Sequence, residues 1–193
     1  MQIKCVVSAV GLSVNVTVAN ERQEPLYLAN CNFDYYGLLD DPKYAYSRNK
    51  YALPTRRLAY ASLQGETLEL LQGEGPPPPP DVQMIAPRVA LYTRLPPGET
   101  MTGQVYVPFP ICEWNAYSSP KVDGSKEVGV SRVSLSVEYF RQSMAERVTP
   151  HPSYRDVFRV SGYPPELLTA TAALPQPLKA HKRPEGPKRM PVY

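Results

Sequence analysis

The sequence predicts an all-β protein, a single β-sandwich with long proline- and tyrosine-rich loops and little helix. Three observations carry that expectation. Proline supplies 23 of the 193 residues, against a usual share of about 5%, and an interior proline costs a helix roughly 3 kcal/mol. Several short stretches alternate apolar and polar residues at period two, the signature of a strand with one buried face. Turn formers cut the chain at intervals too short for long helices. Hydrophobic residues make up 42% of the chain, enough for a core, and the length suits one domain. A small closed barrel is the alternative arrangement of the same strands.

The elements follow in order. Met1 to Val7 carries one charge, Lys4, and the following stretch is broken by Ser8, Gly11, Ser13 and Asn15. It alternates as a strand does and lacks the form of a secretion leader. Leu12, Val14, Val16 and Val18 alternate with smaller or polar residues, giving a strand over 12–19. Asn20 to Glu24 is a polar turn, and Pro25-Leu26-Tyr27-Leu28-Ala29 resumes as a strand. These two strands are expected to pair as a hairpin. Residues 30–56 mix turn formers with Phe33, Tyr35, Tyr36, Tyr44, Tyr46 and Tyr51. Tyr44 to Tyr46 and Leu58 to Ala61 are short strand candidates, and Thr67 to Leu71 is a strand or a single helical turn.

Pro76 to Pro80 is an uninterrupted run of five prolines. It prefers polyproline II and cannot enter a sheet. It reads as a stiff surface loop between the halves of the domain, or as a ligand for a groove that takes such helices. Val89 to Thr93 and Met101 to Val107 read as strands. The intervening Leu95 to Thr100 is a turn in which Pro97-Gly98 suits the middle of type II. Pro108 to Tyr117 is an aromatic segment bounded by prolines, expected over one end of the sandwich. Lys121 to Lys126 is a polar loop. Val128 to Phe140 is the strongest late strand, and Val157 to Val160 is a further candidate. Pro164 to Ala173 is expected to hold the one helix of note. The domain is expected to end at 174, leaving 175–193 as a basic, proline-rich, disordered tail.

The formal net charge is +3, yet Lys179, Lys182, Arg183, Lys188 and Arg189 crowd the last fifteen positions with only Glu185 to oppose them. The body is therefore close to neutral. A nucleic-acid partner needs a basic face on the fold, so the expectation is none beyond what the tail could contact. Cys5, Cys31 and Cys112 form no C-x-x-C pair. Reduced thiols in a cytoplasmic protein are expected, with a Cys31–Cys112 bridge between sheets as the rival. No apolar run is long enough to span a membrane as a helix.

Catalytic and metal chemistry lack material. His151 and His181 are the only histidines, and neither lies in a nucleophile motif. Cys112 with His151 would be the thiol alternative. Zinc requires three or four converging ligands, which two scattered histidines do not suggest. Asp34, Asp40 and Asp41 are either turn formers or oxygen ligands for calcium. No enzyme activity, cofactor or metal is expected.

Two stretches resemble immunoglobulin-like sandwich modules. Leu12 to Leu28 resembles their opening of alternating strand, polar turn and proline-led strand. Leu95-Pro96-Pro97-Gly98-Glu99-Thr100, followed by Gly103 to Val107, resembles their L-x-P-G-E-x turn leading into a strand. Both features are similar to those of bacterial intracellular proteinase inhibitors of the BsuPI type. The resemblance covers under a fifth of the chain and implies a sandwich and inhibitor-like binding. Segment 30–56, the proline run and residues 108–120 depart from that pattern.

Binding is the function class that the residues themselves favour. Tyrosine on loops gives large amphipathic contact area at low entropic cost. The expected anchors are Phe33, Tyr35, Tyr36, Tyr44, Tyr46, Phe109, Trp114 and Tyr117, and the expected partner is a protein. The expected role is an inhibitor or immunity protein that occludes its partner. Alternatives are an assembly subunit that self-associates through an edge strand, or an unrecognised hydrolase.

Overall fold

The structure is a computed structural model and describes residues 1–32, 59–74, 90–113, 122–150, 156–162 and 164–183. The strands run β1 (Gln2–Val7), β2 (Gly11–Ala19), β3 (Leu26–Asn32), β4 (Tyr60–Gln64), β5 (Thr67–Gln72) and β6 (Ala90–Leu95). They continue as β7 (Thr100–Pro108), β8 (Ile111–Cys112), β9 (Lys126–Arg141), β10 (Arg147–Pro150), β11 (Val157–Ser161) and β12 (Glu166–Lys182). One short 3₁₀ turn, Gln142–Met144, follows β9, and no α-helix occurs among the described residues. None of them therefore forms a helix long and apolar enough to cross a membrane.

The strands form the expected all-β sandwich. Among the described residues a three-stranded sheet has the order β1-β2-β7, and a nine-stranded sheet has the order β10-β11-β6-β3-β9-β12-β8, with the β4–β5 pair joined to it through β5 and β9. Period two explains the interface. Leu12, Val14, Val16 and Val18 of β2 turn one face inward, with Val105 and Val107 of β7 beside them. The large sheet answers with Leu26, Leu28, Leu68, Leu70, Val133, Leu135 and Val137. Polar residues between them stay outside. Most pairings are antiparallel, but β5–β9 and β8–β12 are parallel.

The expected hairpin over 12–29 does not form. β2 pairs with β1 and β7 in the small sheet, whereas β3 pairs with β6 and β9 in the large one. The connection crosses between sheets. Asn20, fully buried, makes the crossing possible. Its Nδ2 donates to the carbonyls of Glu24 at 2.9 Å and Leu95 at 3.0 Å. Its backbone N–H donates to Glu99 O at 2.9 Å, and its carbonyl accepts from Gly98 N at 2.8 Å. The 20–24 connection is thereby fastened to the 96–99 turn, the other crossing at this end. That turn has the expected type II features, with Gly98 at φ +73° and Glu99 N–H donating to Pro96 O.

The helix expected over Pro164 to Ala173 is a strand instead. Residues 166, 168, 170 and 172 are half-buried while 167, 169, 171 and 173 are exposed. That alternation, reinforced by β-branched Thr169 and Thr171, outweighs the start signal of Pro164-Pro165. Regular structure also continues past 174, up to Lys182. Leu178 and Ala180 resume the inward period, and Ala180 is fully buried. Pro175 and Pro177 lie in the irregularity between Ala173 and Leu178, where β12 leaves its register with β9, so their missing N–H groups break no ladder. The stretch 175–182 of the expected tail is thus part of the sandwich, and 184–193 lies outside the described residues.

β9 organises the large sheet. Ser131 and Arg132 both donate backbone N–H to Glu66 O, at 2.9 and 3.2 Å. This bulge shifts the inward parity from Val130 to Val133, Leu135, Val137 and Tyr139. A second core lies on the opposite face of the same sheet. It contains Tyr27, Ala29, Ala90, Tyr92, Phe140 and Val160, with edge-on ring pairs Tyr27–Phe158 and Tyr92–Phe140 at 5.6 and 5.4 Å.

Candidate functional site

Of the expected anchors, Phe109 alone lies among the described residues. It follows β7, is half-buried and packs against the main core. Phe33, Tyr35, Tyr36, Tyr44 and Tyr46 lie in 33–58, and Trp114 and Tyr117 lie in 114–120, all outside the described residues. So do the strand candidate at Tyr44–Tyr46, the aspartates at 34, 40 and 41, the proline run and His151. What the structure supplies is the frame at the ends of these segments.

The first mount is a fork in the large sheet. One edge of β9 belongs to β12. On the other edge β3 pairs only at Leu26, Tyr27 and Leu28, opposite Arg141, Phe140 and Tyr139. Beyond that point β5 takes over, pairing from Thr67↔Arg132 to Gln72↔Val137. β3 departs with β6 and shows a register shift between Ala29 and Cys31. Segment 33–58 leaves from Asn32, which pairs with Ala90, and rejoins the structure at Ala59, before β4. Segment 75–89 leaves after Glu74 and returns at Ala90. All four described ends belong to the two branches of the fork.

The fork is built around a buried carboxylate. Glu138, 7% exposed, lies between the branches on the face of the aromatic core. Its Oε2 accepts the backbone N–H of Glu74 at 2.8 Å. Gly73, at φ +154°, makes the approach possible, since a Cβ there would lie 2.2 Å from Glu138 Cδ and 2.3 Å from Oε2. Tyr92 is fully buried and its hydroxyl has no hydrogen-bond partner among the described residues. Burial, and then the charges of Glu74 and Glu138, hold its phenol far above the ordinary tyrosine range. It therefore stays neutral. On the main-core side Gln72 is also buried, with its Nε2 unpartnered among the described residues.

The second mount is Glu113, the residue from which 114–120 departs. Its Oε1 accepts Leu63 N–H and its Oε2 accepts Arg183 N–H, both at 2.8 Å. Its own N–H donates to His181 O at 3.1 Å. One carboxylate thus joins β4, β8 and the end of β12. On the return side, Ser125 Oγ donates to Val122 O at 2.5 Å and lies 2.9 Å from His181 Nδ1. β4 links the two mounts. It is entered from 33–58, and four residues later Leu63 is held by Glu113. At about 3.3 Å per residue that separation is roughly 13 Å.

Other chemistry-bearing residues are engaged in the frame. Cys112 is buried and donates its thiol to Pro110 O at 3.5 Å. Cys31 and Cys112, the residues of the rival bridge between sheets, both sit on strands of the large sheet. His181 lies in β12 rather than in a tail. Among the described residues no three Cys, His, Asp or Glu side chains are placed to hold a metal ion.

Glu138, Tyr92, Gly73 and Glu113 escaped sequence reasoning. Glu138 shares parity with Ser134 and Ser136 and so reads as solvent-facing. The available signal was Tyr139-Phe140, two large rings in succession, which implies that both faces of β9 are covered there. No family model matches the chain, and neither a curated protein nor a solved structure matches it.

Proposed function

We propose that this chain is a non-enzymatic protein-binding module of the inhibitor or immunity-protein kind, which occludes a protein partner by contact. One observation carries the reading. Both ends of the tyrosine-rich segment 33–58 are held by hydrogen-bonded strands at a fork locked by Glu138, and the aromatic segment 114–120 departs from the neighbouring Glu113 clamp. A rigid frame that carries aromatic segments is how loop-based binders place their anchors at low entropic cost. Tyr35, Tyr36, Tyr44, Tyr46, Trp114 and Tyr117 supply the contact in this reading, while Phe109 braces the departing chain. The protein is taken to be cytoplasmic, in keeping with a free thiol at Cys5.

The test is capture from host lysate, with the full chain and a Tyr35→Ala/Tyr36→Ala variant as baits, read by mass spectrometry. The expected result is one stoichiometric protein partner, retained by the parent and lost by the variant. Equal retention by both baits, or no partner with either, would overturn the reading.

A further inference from the structure

The strongest unexplained feature is the outer edge of β12. β9 covers one edge of this strand, and on the other β8 covers only Ala180 and His181. Among the described residues no strand pairs with that outer edge from Glu166 to Lys179. Within this stretch, Glu166 to Leu174 is a proline-free window of nine residues, with Pro164-Pro165 before it and Pro175 after it. Proline cannot donate to a ladder, so the prolines delimit where another strand can add. From Leu167 to Leu178 the chain carries no charge. Two usual protections of an edge, a lysine and a proline, are missing from the window, and the register irregularity opens only after Ala173.

A second observation concerns the core beneath. Along this flank its cover is incomplete. Ile3, Cys5 and Val7 of β1 and Leu168 and Leu178 of β12 pack on the core yet stay only partly buried. On the outer face Leu167 is 57% exposed.

We propose that β12 pairs antiparallel with β12 of a second copy, about a two-fold axis at Ala170, so that the large sheets of two molecules become continuous. Three properties of the window select a second copy as occupant. Its regular stretch from Leu167 to Ala173 is symmetric about Ala170, so a two-fold pairing uses all seven of these residues. It is uncharged beyond Glu166, which gives a charged partner strand no handle and two copies no repulsion. Its side chains match under the two-fold. Thr169 faces the partner's Thr171, Leu167 faces the partner's Ala173, and Leu168 faces the partner's Ala172. Threonine pairs across strands are favourable, and alanine leaves room for leucine. A one-residue slip would set outward residues against inward ones. The proposal is independent of the tyrosine-borne partner site.

The experiment is sedimentation velocity of the full chain over a hundredfold range of concentration, with two double variants. In Thr169→Lys/Thr171→Lys, like charges face each other across the axis. The dissociation constant is expected to rise about tenfold or more. In Thr169→Lys/Thr171→Glu, each lysine faces a glutamate, and the parent dimer is expected to return to within about threefold. Thr169 and Thr171 are exposed, so circular dichroism should report the parent fold in both. A second measurement needs no variant: amide exchange in 166–174 of the parent should slow as concentration rises. A monomer at every concentration, equal dimerisation of the two variants, or exchange independent of concentration would overturn the proposal.

Discussion

Gly73→Ala probes the fork at its tightest point. An added Cβ would lie 2.2 to 2.6 Å from Glu138 Cδ, Oε2 and Cγ, and the backbone is at φ +154°. Two costs follow. Holding a residue other than glycine in a sparsely populated backbone region costs about 1–3 kcal/mol. Displacing Glu138 breaks its 2.8 Å bond from Glu74 N–H, and a hydrogen bond to a charged group contributes about 1.5–3 kcal/mol. The sum is about 4 kcal/mol. For a chain of this size that lowers the melting temperature by roughly 10 °C, since each kcal/mol shifts it by about 2–4 °C. Gly98→Ala is the control. Its φ is +73° and no atom lies within 4 Å of the added Cβ, so only the backbone cost of about 1 kcal/mol applies. Thermal unfolding followed by circular dichroism compares the two. In a Glu138→Ala background the clash is gone, and Gly73→Ala should cost less there than in the parent. If Gly73→Ala falls no further than Gly98→Ala, the account of the fork is wrong.

Two other outcomes are expected. Tyr92→Phe removes a buried hydroxyl with no partner among the described residues, so urea unfolding should show unchanged or slightly higher stability, and a loss above about 2 kcal/mol would reveal an acceptor for that hydroxyl. Glu166 is the acid-sensitive group: its bond from Tyr139 O–H, then the Arg141 and Arg22 guanidiniums, hold its carboxyl below the usual range. Its stabilising contribution is therefore complete above the unfolded value of about 4.3 and is lost as pH falls through the lower folded value. The melting-temperature gap between the parent and Glu166→Gln should close as pH is lowered through that window, and a gap constant with pH would contradict the assignment.

Strand positions were legible where period two meets one buried face. Leu12 to Val18 and Val133 to Tyr139 are examples, and the all-β sandwich follows from them. Pairing was less legible. β2 and β3 look like a hairpin in sequence, because alternation fixes which face is buried and not which sheet a strand joins. The deciding residue, Asn20, reads as an ordinary turn former until its bonds to Glu24, Leu95, Gly98 and Glu99 are seen. β12 failed differently. Pro164-Pro165 before it and Pro175 and Pro177 within it suggest a helix and then a tail, but prolines are tolerated just ahead of a strand and in a register break. The frame of the candidate site was the least legible part. Glu138 and Glu113 act through long-range backbone contacts to Glu74, Leu63 and Arg183, and no local pattern encodes contacts between residues so far apart in sequence.

In the proposed division of labour, strands hold the fold and the tyrosines of 33–58 hold the partner. The melting temperature of Tyr35→Ala/Tyr36→Ala tests it most directly. The account expects a value within about 2 °C of the parent, as for surface substitutions outside the core. A fall of about 6 °C or more would place those rings in the core and contradict the claim.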